Sequence, residues 1–276
     1  MTPDLKDEDE ELLPAEEGER GTMGFLDHLE DLRWTLFKCL GIFIVAVVGV
    51  GIFLKGASSF LNWPLQRAMG EAAMDGQGLF MTSPMGVFSV LIQVCFLGGL
   101  GLSLPFMLFF FAQFIAPALR KEELKLLFPS AVAAFLLFLA GAAFSYLFIV
   151  PEALKFSIRL NQMLGFEILW SADRYYSLLV WTILGMGFCF QFPLIVYVLV
   201  YLRVVTTAKL RTARPYMIVL FFFMGALLTP TWDPVTQSMV ALPMWLLYEI
   251  SLFFARKLEA QRIRDIEAAL EDWEED

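Results

Sequence analysis

A single histidine, His28, is all that the 276 residues contain. It precedes the first long apolar run, so a Ser–His dyad cannot form inside a membrane and a multi-histidine metal centre cannot be assembled. Cysteine is almost as scarce. Cys39, Cys95 and Cys189 all fall within apolar runs, and none has a C-x-x-C partner. This spacing predicts buried thiols, with no disulfide framework and no metal site. The chain also lacks a Walker loop, a G-x-G-x-x-G after a strand, and an H-E-x-x-H pair, and Ser58-Ser59 has no base beside it. Covalent catalysis and nucleotide hydrolysis lose their usual carriers, so neither an enzyme nor a cofactor is expected. The first twenty residues are acidic rather than apolar, which predicts no cleavable leader and insertion through the first span itself. From Pro84 to Leu119 there is no charged residue at all.

Apolar residues fill the space that charge leaves. They make up 58% of the chain, with 28 Phe and a mean hydropathy of +0.66, against about 45–50% in a soluble domain. This is the composition of a polytopic membrane protein. The net charge of −9 belongs to the ends. Residues 1–20 hold only Lys6 and Arg20 against many acids, and residues 256–276 hold four basic residues against eight acids. Such tails exclude nucleic acid as a partner. Three regions are expected: an acidic disordered tail over 1–22, a transmembrane domain over 23–255, and an acidic tail over 256–276.

A helix needs about 20 apolar residues to cross the bilayer core. Four runs supply them: Trp34 to Leu54, Pro84 to Leu119 with a break or kink at Pro105, Leu124 to Val150, and Tyr176 to Val200. Two shorter runs follow, Pro215 to Leu228 and Thr236 to Phe254, separated by the polar turn Thr229 to Pro234. The expected fold is therefore an all-α membrane protein with six transmembrane helices, the fifth too short to cross untilted. Residues 56–83 read as an external loop with short interfacial helices. Lys and Arg concentrate near the first helix, at 120–125, 203–214 and 256–264, which predicts both termini on the cytoplasmic side.

Chemistry is left to carboxylates and one amide. Read as a helix, residues 24–40 place Phe25, Leu29, Leu32 and Leu36 on one side, and Asp27, Asp31 and Lys38 on the other. Asp31, and Glu123 on the loop after the second span, are two carboxylates at a membrane edge that could receive two guanidiniums. The alternative is ordinary pairing with Arg33, Arg120 or Lys125. Gln191 is polar in the middle of an apolar span. It serves either as an interhelical hydrogen bond or as the lining of a cavity that receives a partner helix. A secondary transporter for a small solute is the competing class, with Gln191 and the kinked spans lining its path.

Several motifs resemble one family. His28-Leu29-Glu30-Asp31-Leu32-Arg33 resembles the H-L-x-E-L-R signature of TatC, the multispanning subunit of the twin-arginine translocase. Phe114 to Leu119 followed by Glu123 is similar to its F-x-x-P-G-L-x-x-x-E segment. Pro64-Leu65, Ser83-Pro84, Pro105, Arg214-Pro215-Tyr216, Leu228-Thr229-Pro230 with Asp233, Ala241 to Met244, and Tyr248-Glu249 follow in order, so the likeness spans Phe25 to Arg256. It implies a curved, cupped arrangement with short fifth and sixth helices in the inner membrane. It also implies a cytoplasmic edge that binds the twin-arginine signal peptides of folded cargo, whose export the proton-motive force drives. The resemblance casts Asp31 and Glu123 as arginine acceptors with Phe114 beside them. Asp31 stands where the family usually has Glu, so Glu30 shares the role. Gln191, Pro64, Pro105 and Asp233 become cavity or partner positions, with TatA- and TatB-type single-span subunits and self-association as the implied contacts. A glutamine at 191 excludes a proton relay through that position.

Overall fold

A computed structural model describes residues 25–69, 79–118, 121–166, 170–229 and 233–275. The expected disordered tail over 1–22 lies outside the described residues. Among those described there is no strand, only an isolated bridge between Phe80 and Ser171. The first helix, α1, spans Phe25–Ile52 and is followed by two short helices, α2 (Leu54–Leu61) and α3 (Trp63–Met69). α4 (Gly86–Ile115) ends in a 3-10 turn at Ala116–Ala118, and α5 (Lys121–Phe144) passes through a π turn at Ser145–Ile149 into α6 (Val150–Leu164). α7 (Ala172–Cys189) and α8 (Phe192–Tyr201) form the next span. The short α9 (Thr207–Thr212), α10 (Arg214–Leu228) and a long α11 (Pro234–Glu275) complete the chain.

Five helical stretches are long and apolar enough to cross a membrane: 28–52, 86–115, 127–164, 172–201 and 234–264. The remaining apolar helix, α10, has 15 residues, a rise of about 22 Å against a hydrocarbon core of about 30 Å. Boundaries differ from the sequence expectation in four places, the third span among them, since its helix continues past Val150 to Leu164. α4 runs through Pro105 without ending there. The fourth span is two helices, interrupted at Phe190 and Gln191 because Pro193 in the first turn of α8 has no N–H to continue the α7 ladder. α11 continues as helix to Glu275, far past the apolar limit at Phe254.

α1 lies antiparallel along α4, with His28 at the level of Phe114 and Val47 at the level of Gly99. Backbone contact is close there. A Cβ on Gly99 would stand 2.5 Å from the Val47 side chain, and one on Gly141 of α5 would stand 2.6 Å from the Met186 carbonyl oxygen of α7. Small residues allow such approach where lipid offers no hydrophobic drive between helices.

The two ends of the bundle are built differently. Where α1 finishes, α2 packs on α4 and α3 folds back against α6, and Leu61, Leu65, Val150, Leu154, Tyr175, Tyr176 and Leu179 bury one another. Tyr175 Oη donates to the Leu61 carbonyl at 2.6 Å, Tyr176 Oη donates to Asn62 Oδ1 at 3.0 Å, and Tyr146 Oη donates to the Phe60 carbonyl. This end is referred to below as the cap. A second core joins α7, α10 and α11 through Met186, Phe190, Phe221, Val240 and Tyr248. At the start of α10, Arg214 Nη2 donates to Glu249 Oε2 at 2.5 Å, which joins two segments 35 residues apart.

Candidate functional site

The opposite end carries the α1 start and the α4–α5 turn. Helical spacing puts Asp31, Thr35 and Lys38 on one face of α1, at i, i+4 and i+7. That face turns toward α4: Thr35 and Cys39 are buried, whereas Leu29 and Leu36 of the leucine row are exposed at 45% and 56%. The orientation reverses the habit of a soluble helix. Lipid solvates leucine as well as protein does, so small and polar residues take the helix–helix seam.

Between this face and the end of α4 lies a cavity of about 160 Å³. Asp31, Thr35 and Lys38 supply its polar wall with Gln113. Trp34, Phe110, Phe114 and Pro117 supply the apolar one. The His28 ring stacks on Phe114 at a centroid distance of 4.4 Å and fixes that wall. Asp31 and Lys38 are exposed and share this cavity. Among the described residues neither forms an ion pair or a hydrogen bond. Glu30, one residue away and about 100° around the helix, points elsewhere. It accepts from Arg33 Nη2 at 3.1 Å, and Arg33 lies over the Trp34 ring at 5.7 Å.

The structure thus brings Asp31 and Phe114 to one cavity and leaves Glu30 outside its wall. Glu123 falls in the first turn of α5, directly after the turn that holds Pro117, and its side chain lies outside the described ones. Pro105 lines a neighbouring apolar groove of about 350 Å³ between α4 and α5, with Phe109, Leu127, Phe128 and Phe135. Gln113 borders both spaces. The other three expected positions lie apart. Pro64 is fully buried in the cap. Asp233 is buried and caps α11, its Oδ2 accepting from the Thr236 N–H at 2.7 Å and the Thr236 hydroxyl at 2.8 Å. Gln191 Nε2 donates to the Ala134 carbonyl of α5 at 2.8 Å, the interhelical bond that was one of its two readings.

Lys38 and Gln113 were not among the expected site residues. Lys38 could have been found from its i+7 spacing to Asp31. Gln113 had no local signal, because only the packing of α4 on α1 brings it in.

A family model described as Sec-independent protein translocase protein (TatC) matches residues 27–243. The chain belongs to the TatC family. The TatC protein of Aquifex aeolicus is 33% identical, over 90% of this chain and 100% of that one. The TatC protein of Escherichia coli is 31% identical, over 85% and 89%. The chloroplastic TATC protein of Pisum sativum is 33% identical, over 86% of this chain and 64% of its own. Two crystal structures of the twin-arginine translocase receptor TatC superpose with TM-scores of 0.69 and 0.71 at 32% identity, covering 83% of this chain and 98% and 99% of theirs. The chain is therefore a membrane component of the Sec-independent translocase, a transport protein and not an enzyme. TatC membership takes the place of the small-solute transporter.

Proposed function

We propose that this TatC chain is the receptor that takes the paired arginines of a signal peptide at the membrane edge formed by α1 and the α4–α5 turn. The observation that carries the reading is Asp31, an exposed carboxylate with no partner among the described residues, opening on a small cavity with aromatic walls. A guanidinium there gains a charge-assisted, bidentate bond to the carboxylate and stacking on Phe114 or Trp34. The cavity has room for one such group. The second arginine falls to Glu123, placed by the backbone beside the same turn, with Glu30 as a secondary acceptor once Arg33 releases it. The apolar part of the signal then follows the α4–α5 groove past Pro105, which Gln113 joins to the cavity.

The same reading places both termini on the cytoplasmic side of the inner membrane, by the distribution of Lys and Arg. TatA- and TatB-type single-span subunits pack on apolar faces of the bundle. The groove between the short α10 and the start of α11, walled by Ile218, Phe222, Val235, Leu242 and Trp245, is one such face. Further copies of the chain join the assembly, and the proton-motive force drives passage of folded cargo.

Photo-cross-linking in membranes from position 110, which lines the cavity and leaves both carboxylates in place, tests the site. A twin-arginine precursor is expected to be captured by wild type, and a precursor with paired lysines weakly. Asp31→Asn and Glu123→Gln are each expected to lower capture about tenfold or more, since each removes a charged hydrogen bond, while membrane insertion is retained. Capture by Glu123→Gln equal to that of wild type would remove Glu123 from the site.

A further inference from the structure

The cavity beside Asp31 holds a charge that an arginine does not want. Lys38 lines the same wall, exposed and without an acidic partner among the described residues. Asp31 and Lys38 are separated by seven residues, a helical rise of about 10 Å. α1 enters the membrane from its Phe25 end, so Asp31 is the shallower group and Lys38 the deeper. Helical side chains lean toward the N-terminus, so the Lys38 ammonium reaches back toward Asp31 and toward the membrane surface. The lining of this slot thus runs along α1 from a negative group near the membrane surface to a positive group anchored about two turns deeper. Thr35 adds a hydroxyl between them along α1, and Gln113 of α4 adds an amide to the same lining.

We propose that this slot binds the headgroup of a phosphatidylethanolamine-type lipid when no signal peptide is present. A phospholipid headgroup carries its phosphate toward the acyl chains and its amine toward water. That polarity matches the slot: phosphate on Lys38, primary ammonium on Asp31. Phosphoglycerol satisfies Lys38 but brings no cation to Asp31. Phosphocholine brings a cation without N–H donors, so the carboxylate gains no hydrogen bond. The acyl chains leave along the exposed apolar surface of α1, where Phe37, Leu40 and Ile44 face lipid. The headgroup keeps Asp31 paired until an arginine displaces its amine. Lipid binding itself does not depend on the signal-peptide reading, although the displacement step does.

The test uses the full chain with a photoreactive residue, Phe110→p-benzoylphenylalanine, reconstituted in vesicles that mix phosphatidylethanolamine, phosphatidylglycerol and phosphatidylcholine. Mass spectrometry of the adducts reads each lipid relative to its share of the bilayer. Enrichment of the ethanolamine lipid over both others by about tenfold is expected, as one charged hydrogen bond is worth that ratio. Asp31→Asn should reduce the enrichment by a similar factor, whereas Lys38→Met, which removes the partner common to all three phosphates, should lower the total lipid adduct. The exchanged pair Asp31→Lys with Lys38→Glu keeps both charges and reverses their order, and it should abolish enrichment. Adducts in proportion to the bilayer for the chain with native Asp31 and Lys38 would overturn the proposal, whatever the variants do. Enrichment that survives the exchanged pair would overturn it as well. Adding a twin-arginine peptide should reduce the lipid adduct. A lipid adduct that depends on Asp31 and Lys38 yet ignores the peptide keeps the lipid assignment and removes the shared site.

Discussion

The cap and the α1 start are opposite ends of the same helices, and they treat polar groups in opposite ways. In the cap, tyrosine hydroxyls of α7 and of the π turn meet the carbonyls and the amide of residues 60–62, and buried leucines close around them. At the other end, Asp31 and Lys38 line an open cavity and meet no charged partner among the described residues. A buried polar group must be satisfied internally or it costs stability. A group at a membrane edge can wait for a ligand, because water and headgroups solvate it meanwhile. The cap therefore holds the cup together, and the α1 start is free to bind. If this division is right, substitutions at one end change stability without changing capture of a signal peptide, and substitutions at the other do the reverse.

The middle of the bundle gives the largest effect on stability. Gly141→Val would place a Cβ 2.6 Å from the Met186 carbonyl oxygen and 2.9 Å from the Phe190 Cβ. Backbone cannot move aside as a flexible side chain can, so α5 and α7 must separate. A loss near the upper end of the usual overpacking range, about 3 kcal/mol, is expected. Reversible unfolding in mixed micelles measures it. Because both ends hang on this contact, capture and stability should fall together. A variant that keeps wild-type stability would show that α5 and α7 do not pack at this distance.

Tyr175→Phe comes next and isolates the cap. It removes the donor to the Leu61 carbonyl, in a position that is 4% exposed. The abandoned carbonyl costs about 1–3 kcal/mol. Unfolding should shift by that amount, and protease access to α2 and α3 should rise, while a twin-arginine peptide is still captured at wild-type level. Reduced capture at unchanged stability would couple the two ends and break the division between them.

Much of this contrast could be read from sequence, though unevenly. The apolar runs located the spans because length and composition alone decide what crosses a bilayer. The ordered motifs from His28 to Glu249 located the family. The face of α1 was legible as a pattern, since Asp31 and Lys38 share it. Which way that face turns was not, because lipid removes the rule that leucine goes inside. The leucines at 29 and 36 face outward for that reason. Nor could local pattern show that Arg214 meets Glu249, or that Gln113 joins Asp31. Those meetings depend on helices far apart in the chain. The helical continuation of α11 to Glu275 was hidden by its charge, which ends a membrane span but not a helix.

Gln191 separates the same two outcomes at the smallest scale. Its amide bridges the break between α7 and α8 to the Ala134 carbonyl. Ala134 lies in the interior of α5, where a carbonyl has a helical partner of its own. Loss of the amide therefore leaves no orphaned acceptor, and interhelical bonds of this kind in membranes average about 0.6 kcal/mol. Gln191→Leu should lower stability by about that much and leave capture and transport intact. A variant with unchanged unfolding but failed transport would instead assign Gln191 to a partner helix. The interhelical bond would then be a resting position that the partner replaces.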